Sequence, residues 1–313
     1  MSGVATREAY AKVLKEELSK NSQVVVLDAD LGNATKSMTF KKVCPERYFD
    51  MGIAEQDMMG TAAGLATCGK IPIASTFAMF AAGRAFEQVR NSIAYPNLNV
   101  KIAATHAGVT VGEDGGSHQA IEDISLMRSI PNMTVINPSD GKEAEEALKA
   151  AVQYYGPVYI RLGRAATPDL HSEYYQFIWG KGEVLREGKD VGIIATGIMV
   201  AKALEAAEQL KKQGIEARVV NIHTIKPLDE ALIIETAKLT GKIVTAEEHS
   251  VIGGLGSAVS EVLCQQYPVK MSMVGVKDKF GCSGSPTELL KKYGLMEEDI
   301  IKAVMSLCAG EDK

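Results

Sequence analysis

The stretch "ATHAGVTVGEDGGSHQ", residues 104–119, sets two histidines, a glutamate and an aspartate among four glycines, directly after an apolar run. That run, NVKIAATH (99–106), reads as a short buried strand. The loop therefore falls at the carboxyl end of a strand, where ligands gather on open α/β sheets. His106, Glu113, Asp114 and His118 are a conceivable metal set, but His106 and His118 are twelve residues apart across glycines. Helix-borne metal pairs recur at about three or four residues. A loop freed by Gly108, Gly112, Gly115 and Gly116 can instead point several donors at one ligand. Imidazole, titrating near neutrality, suits proton transfer on a hydroxyl. A surface turn with incidental histidines is the plainer alternative.

Outward from this loop, helical and strand-like segments alternate along the whole chain, which predicts an α/β fold with mainly parallel sheets. TREAYAKVLKEELSK (6–20), IAEQDMMGTAAGLATCG (53–69), FAAGRAFEQVRNSIAY (80–95) and SDGKEAEEALKAAVQYY (139–155, capped by Ser139) read as helices. VVVLDAD (24–30), IPIAST (71–76) and PVYIRLGR (157–164) read as strands. A second series follows, with strands VGIIATG, EARVVNIH, KIVTAEEH and VKMSMVGV between helices. A chain of 313 residues suits two domains of roughly 130–180 residues. We place them at 1–168 and 189–313, each three-layered, joined by an aperiodic linker over 169–188.

Hydrophobic residues at 46% and charged residues at 23% indicate a folded soluble chain. A net charge of −5 without a basic run lacks the electrostatic footprint of nucleic-acid binding. No stretch approaches the length of a membrane span, and the N-terminus lacks a signal-peptide pattern, so we expect a cytoplasmic protein. Five cysteines without a CxxC pair fit reduced thiols, most of them buried as small apolar residues.

Three further stretches stand just after strands or at helix starts. Glu55 in MGIAEQDMMG is flanked by Met51, Ile53, Met58 and Met59. It is either a partner of the helix dipole or a carboxyl able to share a proton with a ring nitrogen. STFAMFAAGRAF holds Phe77, Phe80 and Phe86 among only seven phenylalanines; they serve the core, or offer a face to a flat heteroaromatic ligand. VIGGLGSAVSEVL (251–263) lacks the full three-glycine dinucleotide spacing, which leaves helix packing as its reading.

Together these stretches resemble the C-terminal half of transketolase, a thiamine-diphosphate enzyme that moves two-carbon ketol units between sugar phosphates. THAGVTVGEDGGSHQAIED (105–123) is similar to that family's histidine loop, GIAEQDM to its glutamate motif, STFAMF to its aromatic strand end, and VATREAY to the opening of its middle domain. The resemblance implies a pyrimidine-binding domain followed by a smaller C-terminal domain. It also implies that Glu55 hydrogen-bonds a pyrimidine nitrogen of thiamine diphosphate, with Phe80 stacked on that ring, Phe77 beside it and Asp30 as a further cofactor-binding residue. His118 and Asp114 are implied to handle the sugar hydroxyls, and His106, Arg7 and Arg164, with Arg161 as a neighbour, the substrate phosphate. The chain departs from the pattern at Asp57, at Gly83 with a one-residue shift, and at Ala34.

Thiamine diphosphate needs Mg2+ held by oxygen ligands around the diphosphate, and the family's GDG motif occurs nowhere here. The resemblance therefore implies a split enzyme. A separate N-terminal subunit would supply the diphosphate and Mg2+ site, no metal ligands would come from this chain, and the assembly would be a dimer of heterodimers. The beta subunit of a 2-oxoacid dehydrogenase, a deoxyxylulose-phosphate synthase and a non-catalytic regulatory subunit are the rival readings.

Overall fold

Strand runs apolar at every position can bury both faces only inside a layered α/β arrangement. The computed structural model, which describes residues 3–309, has two such sheets. The first runs in the order Thr224–Lys226, Thr134–Ile136, Val158–Arg161, Lys101–Thr105, Ile71–Phe77, Val24–Asp28, Tyr48–Asp50. All its pairings are parallel except that of the edge strand Thr224–Lys226. Alternate residues of Val24–Asp28 face opposite layers. Val25 and Leu27 pack with Met58, Met59 and Ala62 of helix Glu55–Thr67. Val24 and Val26 pack with Tyr10 and Leu14 of helix Thr6–Glu16 and with Ala147 and Leu148 of helix Gly141–Gln153. The second sheet has the order Lys270–Val276, Lys242–Ser250, Val191–Ala195, Ala217–Asn221, Glu183–Arg186, and is parallel except at the last strand.

Several local expectations change. The helix over 139–155 is capped by Asp140, whose side chain accepts the Glu143 N–H, while Ser139 donates through N and Oγ to Glu143. The helix over 80–95 is instead two π-helical stretches, Phe80–Arg84 and Val89–Ala94, around the short turn Phe86–Gln88. A π turn absorbs one extra residue, and here Ala85 N–H reaches back to Phe80 O at 3.1 Å. Within the expected linker, Glu183–Arg186 is a strand on Ala217–Asn221, and Trp179 stacks on Tyr154 at 4.4 Å. The second half of the chain also lends Thr224–Lys226 to the first sheet. Of the five free cysteines only Cys44 is buried. No helix among the described residues is long and apolar enough to cross a membrane.

Charged groups tie the two halves together. His171 Nδ1 meets Asp140 at 3.0 Å and its Nε2 meets Glu183 at 3.0 Å. Burial opposes the imidazolium, but the hydrogen bonds to Asp140 and Glu183 outweigh it and raise His171 to about 10 from 6.5. A pKa raised on folding contributes stability that is fully present below the unfolded value and lost as pH rises through the folded one. His171→Gln is therefore expected to lower the thermal midpoint most at pH values below 6.5, and the gap to wild type should close towards pH 10. Melting curves across that range test it; a gap independent of pH would mean that His171 acts by packing alone.

Candidate active site

Glu55 begins helix Glu55–Thr67 and is 1% exposed, with Met58 and Met59 buried beside it. Both of its carboxylate oxygens accept from Arg84 Nη1 at 2.8 Å. Arg84 was not foreseen as a site residue. It lies one turn beyond Phe80, and its guanidinium carbon sits 4.3 Å from the centre of the Phe80 ring. The only sequence signal was a cation four residues after an aromatic, which becomes meaningful once the π turn brings the two together.

Phe77 ends the strand Ile71–Phe77, and its ring is nearly parallel to that of Phe80, at 5.8 Å and 9°. On Phe77's side the His106 imidazole stacks at 3.9 Å, and His118 meets the Phe80 ring edge-on at 5.4 Å. Two strand ends and the glycine loop thus converge, as the sequence predicts. His106 is a non-glycine residue in the left-handed region, φ 57°, a conformation that persists only where surroundings over-determine it. Here Thr105 Oγ1 lies 2.9 Å from Nδ1 and Arg7 Nη1 lies 3.0 Å from Nε2. A guanidinium can only donate, so Nε2 is the acceptor and the proton sits on Nδ1. Burial, then the charges of Arg7 and Arg164, hold His106 down to about 3. It is a neutral prop for Arg7, with no N–H left over for an anion.

Arg7 also donates to Ala34 O at 3.1 Å, and its buried Nε has no partner. Arg164 donates to Val111 O and faces Glu113 at 3.4 Å and Asp114 at 3.9 Å. Asp114 and Asp30 are exposed, and His118 is half-buried with Nδ1 2.9 Å from Ser117 Oγ. Arg161 must be corrected. It is 3% exposed, with Nε on Asp123 at 2.9 Å and Nη2 on Ala120 O and Glu248 O. It braces the base of the loop and is closed to any substrate. The loop's other brace is Gly108, at φ 80°, where a Cβ would stand 2.2 Å from the Glu248 carboxyl carbon.

Elsewhere, polar groups are filled by the protein itself. The glycine-rich start of helix Leu255–Gln266 is occupied by buried Glu247, which accepts from Leu255 N and Gly256 N. His223 and His249 are buried in hydrogen bonds to Thr224 and Ser250. Among the described residues, the one imidazole and carboxylate group close enough to hold a metal is Glu143, His171 and Glu183, and there the imidazole already serves the clasp between the two halves.

What remains is a buried carboxylate bonded to a guanidinium that lies on one of two parallel rings, an imidazole at the edge of those rings, and the guanidinium groups of Arg7 and Arg164. A flat, amino-bearing heterocycle fits this donor set, because a planar cation, the Arg84 guanidinium, already lies on Phe80 and bonds Glu55 in the same manner. Arg84 is 47% exposed and has solvent to swing into.

The fold sets two layered α/β sheets in one chain, with a buried carboxylate and an aromatic platform at the strand ends of the first. The family models agree: Transketolase, pyrimidine binding domain matches residues 2–169, and Transketolase, C-terminal domain matches residues 180–300. The chain belongs to the transketolase family. It is 50% identical to a transketolase C-terminal section from Methanocaldococcus jannaschii, over 97% of each chain. It is 47% identical to a 6-deoxy-6-sulfo-D-fructose transketolase subunit from Clostridium sp. strain MSTE9, covering 95% of this chain and 92% of that one. A solved split-gene transketolase, described as an inactive beta4 tetramer, is 57% identical with a TM-score of 0.90, covering 98% of this chain and 99% of that one.

Proposed function

We propose that this chain is the pyrimidine-side subunit of a split transketolase, transferring a two-carbon ketol unit from a ketose phosphate to an aldose phosphate. A separate subunit would carry the diphosphate and Mg2+ site, and the two would assemble as a dimer of heterodimers. The observation that carries this reading is Glu55, buried and bonded to the Arg84 guanidinium that lies on the Phe80 ring, with His118 at the edge of that ring. Thiamine diphosphate, when bound, supplies a carbon nucleophile able to hold the ketol fragment. Glu55 would hold the ring nitrogen, Phe80 would support the ring face, and Arg84 would yield its place. His118 would take and return the hydroxyl proton during carbon–carbon cleavage, with Asp114 fixing the neighbouring hydroxyl. Arg7, propped by His106, and Arg164 would bind the phosphate at the far end, as guanidinium forks do.

The double-histidine loop favours a polyhydroxylated substrate over the 2-oxoacid of a dehydrogenase beta subunit. A relative of the same span is inactive as a beta4 tetramer, which supports partner dependence. The chain alone is expected to show negligible ketol transfer with thiamine diphosphate and Mg2+. Adding a partner that carries the diphosphate-binding domain should restore turnover of a ketose phosphate and an aldose phosphate. Full activity from the lone chain would overturn the split reading.

A further inference from the structure

Beyond the catalytic face, the second half of the chain carries a cavity of about 390 Å³ beside the edge strand Lys270–Val276 and helix Glu297–Cys308. Four ammonium groups line it: Lys277 and Lys279 after the strand, Lys292 at the end of helix Pro286–Lys292, and Lys302 on the last helix. Asp299 is the one acid in the lining, 3.1 Å from Lys302. Lys292 donates one of its three N–H groups to Cys282 Sγ at 3.0 Å. Lys277 and Lys279 are exposed and make no ion pair or hydrogen bond among the described residues. In a chain of net charge −5, four like charges gathered around one hollow repel one another unless an anion sits between them. The volume lies in the range of small-molecule sites. Tyr293, the only ring in the lining, has its hydroxyl committed to Phe280 O at 2.9 Å, so the chemistry offered is ammonium groups for several phosphate oxygens.

We propose that this cavity binds a compact molecule bearing two or more phosphate groups, such as a diphosphate or a sugar bisphosphate. The site is separate from the Arg7 and Arg164 cluster but connected to it. The segment from Lys277 to Ser285 carries two of the lysines on one side and supports the glycine loop on the other. Gln119 Nε2 donates to Cys282 O at 3.0 Å, and a Cβ on Gly116 would stand 2.7 Å from Gly281 O. A phosphate drawing Lys292 off Cys282 would therefore act on the segment against which the loop bearing Asp114 and His118 rests.

Calorimetric titration of the chain with inorganic pyrophosphate tests the site directly. Saturable one-to-one binding is expected, weakened about tenfold or more, the equivalent of about 1.4 kcal/mol, by Lys277→Glu combined with Lys279→Glu. Arg164→Ala should leave it unchanged. The lysines are exposed, so the charge-reversed chain should keep its fold, checked by circular dichroism. Pyrophosphate should also change the rate at which neutral iodoacetamide alkylates Cys282, and lose that effect in the charge-reversed chain. Absence of saturable binding, or binding lost with Arg164→Ala and kept with the lysine changes, would overturn the proposal and leave the ketol-transfer reading untouched.

Discussion

Replacing Glu55 by alanine is expected to lower ketol-transfer turnover, measured with the proposed partner subunit present, by roughly 10²- to 10⁴-fold, the usual worth of a positioned acid–base group. The side chain is buried at the start of its helix with apolar methionines beside it, and it accepts from the half-exposed side chain of Arg84. Alanine removes the carboxyl without touching the core packed by Met58, Met59 and Ala62, so the fold should survive. Glu55→Gln separates two roles: it keeps the shape and a hydrogen bond but cannot share a proton. The amide should bind thiamine diphosphate far better than alanine does and still turn over poorly. Fluorescence titration of the cofactor beside steady-state rates reads both quantities. An unaffected rate in the alanine variant would mean that a different carboxylate serves the ring.

The layout of the fold was legible because strands such as Val24–Asp28 are apolar up to their last residue while their helices keep a period, and that pattern survives any tertiary detail. That Phe77, Phe80, His106 and His118 come together was legible because residues at the strand ends of a parallel sheet are gathered by topology alone. What could not be read depends on packing between segments distant in sequence. Arg84 reaches Glu55 only through a π turn, which carries no periodic signature. The cap at Asp140 wins over Ser139 because the same carboxylate also accepts from Leu170 N and His171 N, thirty residues on. Glu183–Arg186 looked like linker because an edge strand half exposed on every residue shows no alternation.

Arg161 was misjudged for the same reason, and its true environment predicts the largest effect on stability. A strand-end arginine beside Arg164 looks like a phosphate ligand until Asp123 is seen beneath it. The pair is buried to 3% and 1% exposure, and Tyr159 donates to the same Asp123 oxygen at 2.8 Å. Burial works against the charge on Arg161, and the negative charges of Asp123 and Glu248 more than restore it, so its pKa is raised. Removing one partner of such a pair strands the other's charge in the interior, which costs about 3–5 kcal/mol. Arg161→Met is therefore expected to destabilise the protein by about that amount, read from denaturant midpoints. Because Arg161 also holds Ala120 O and Glu248 O, the glycine loop should loosen with it, and hydrogen exchange around residues 106–122 should quicken. Adding Asp123→Asn removes the stranded charge and keeps an acceptor for Tyr159. The double variant should recover more than half of the lost stability without restoring protection of the loop, since the two carbonyls stay unbraced. Recovery of both would show that charge alone matters at this position, and recovery of neither that Arg161 acts through its bonds to the backbone.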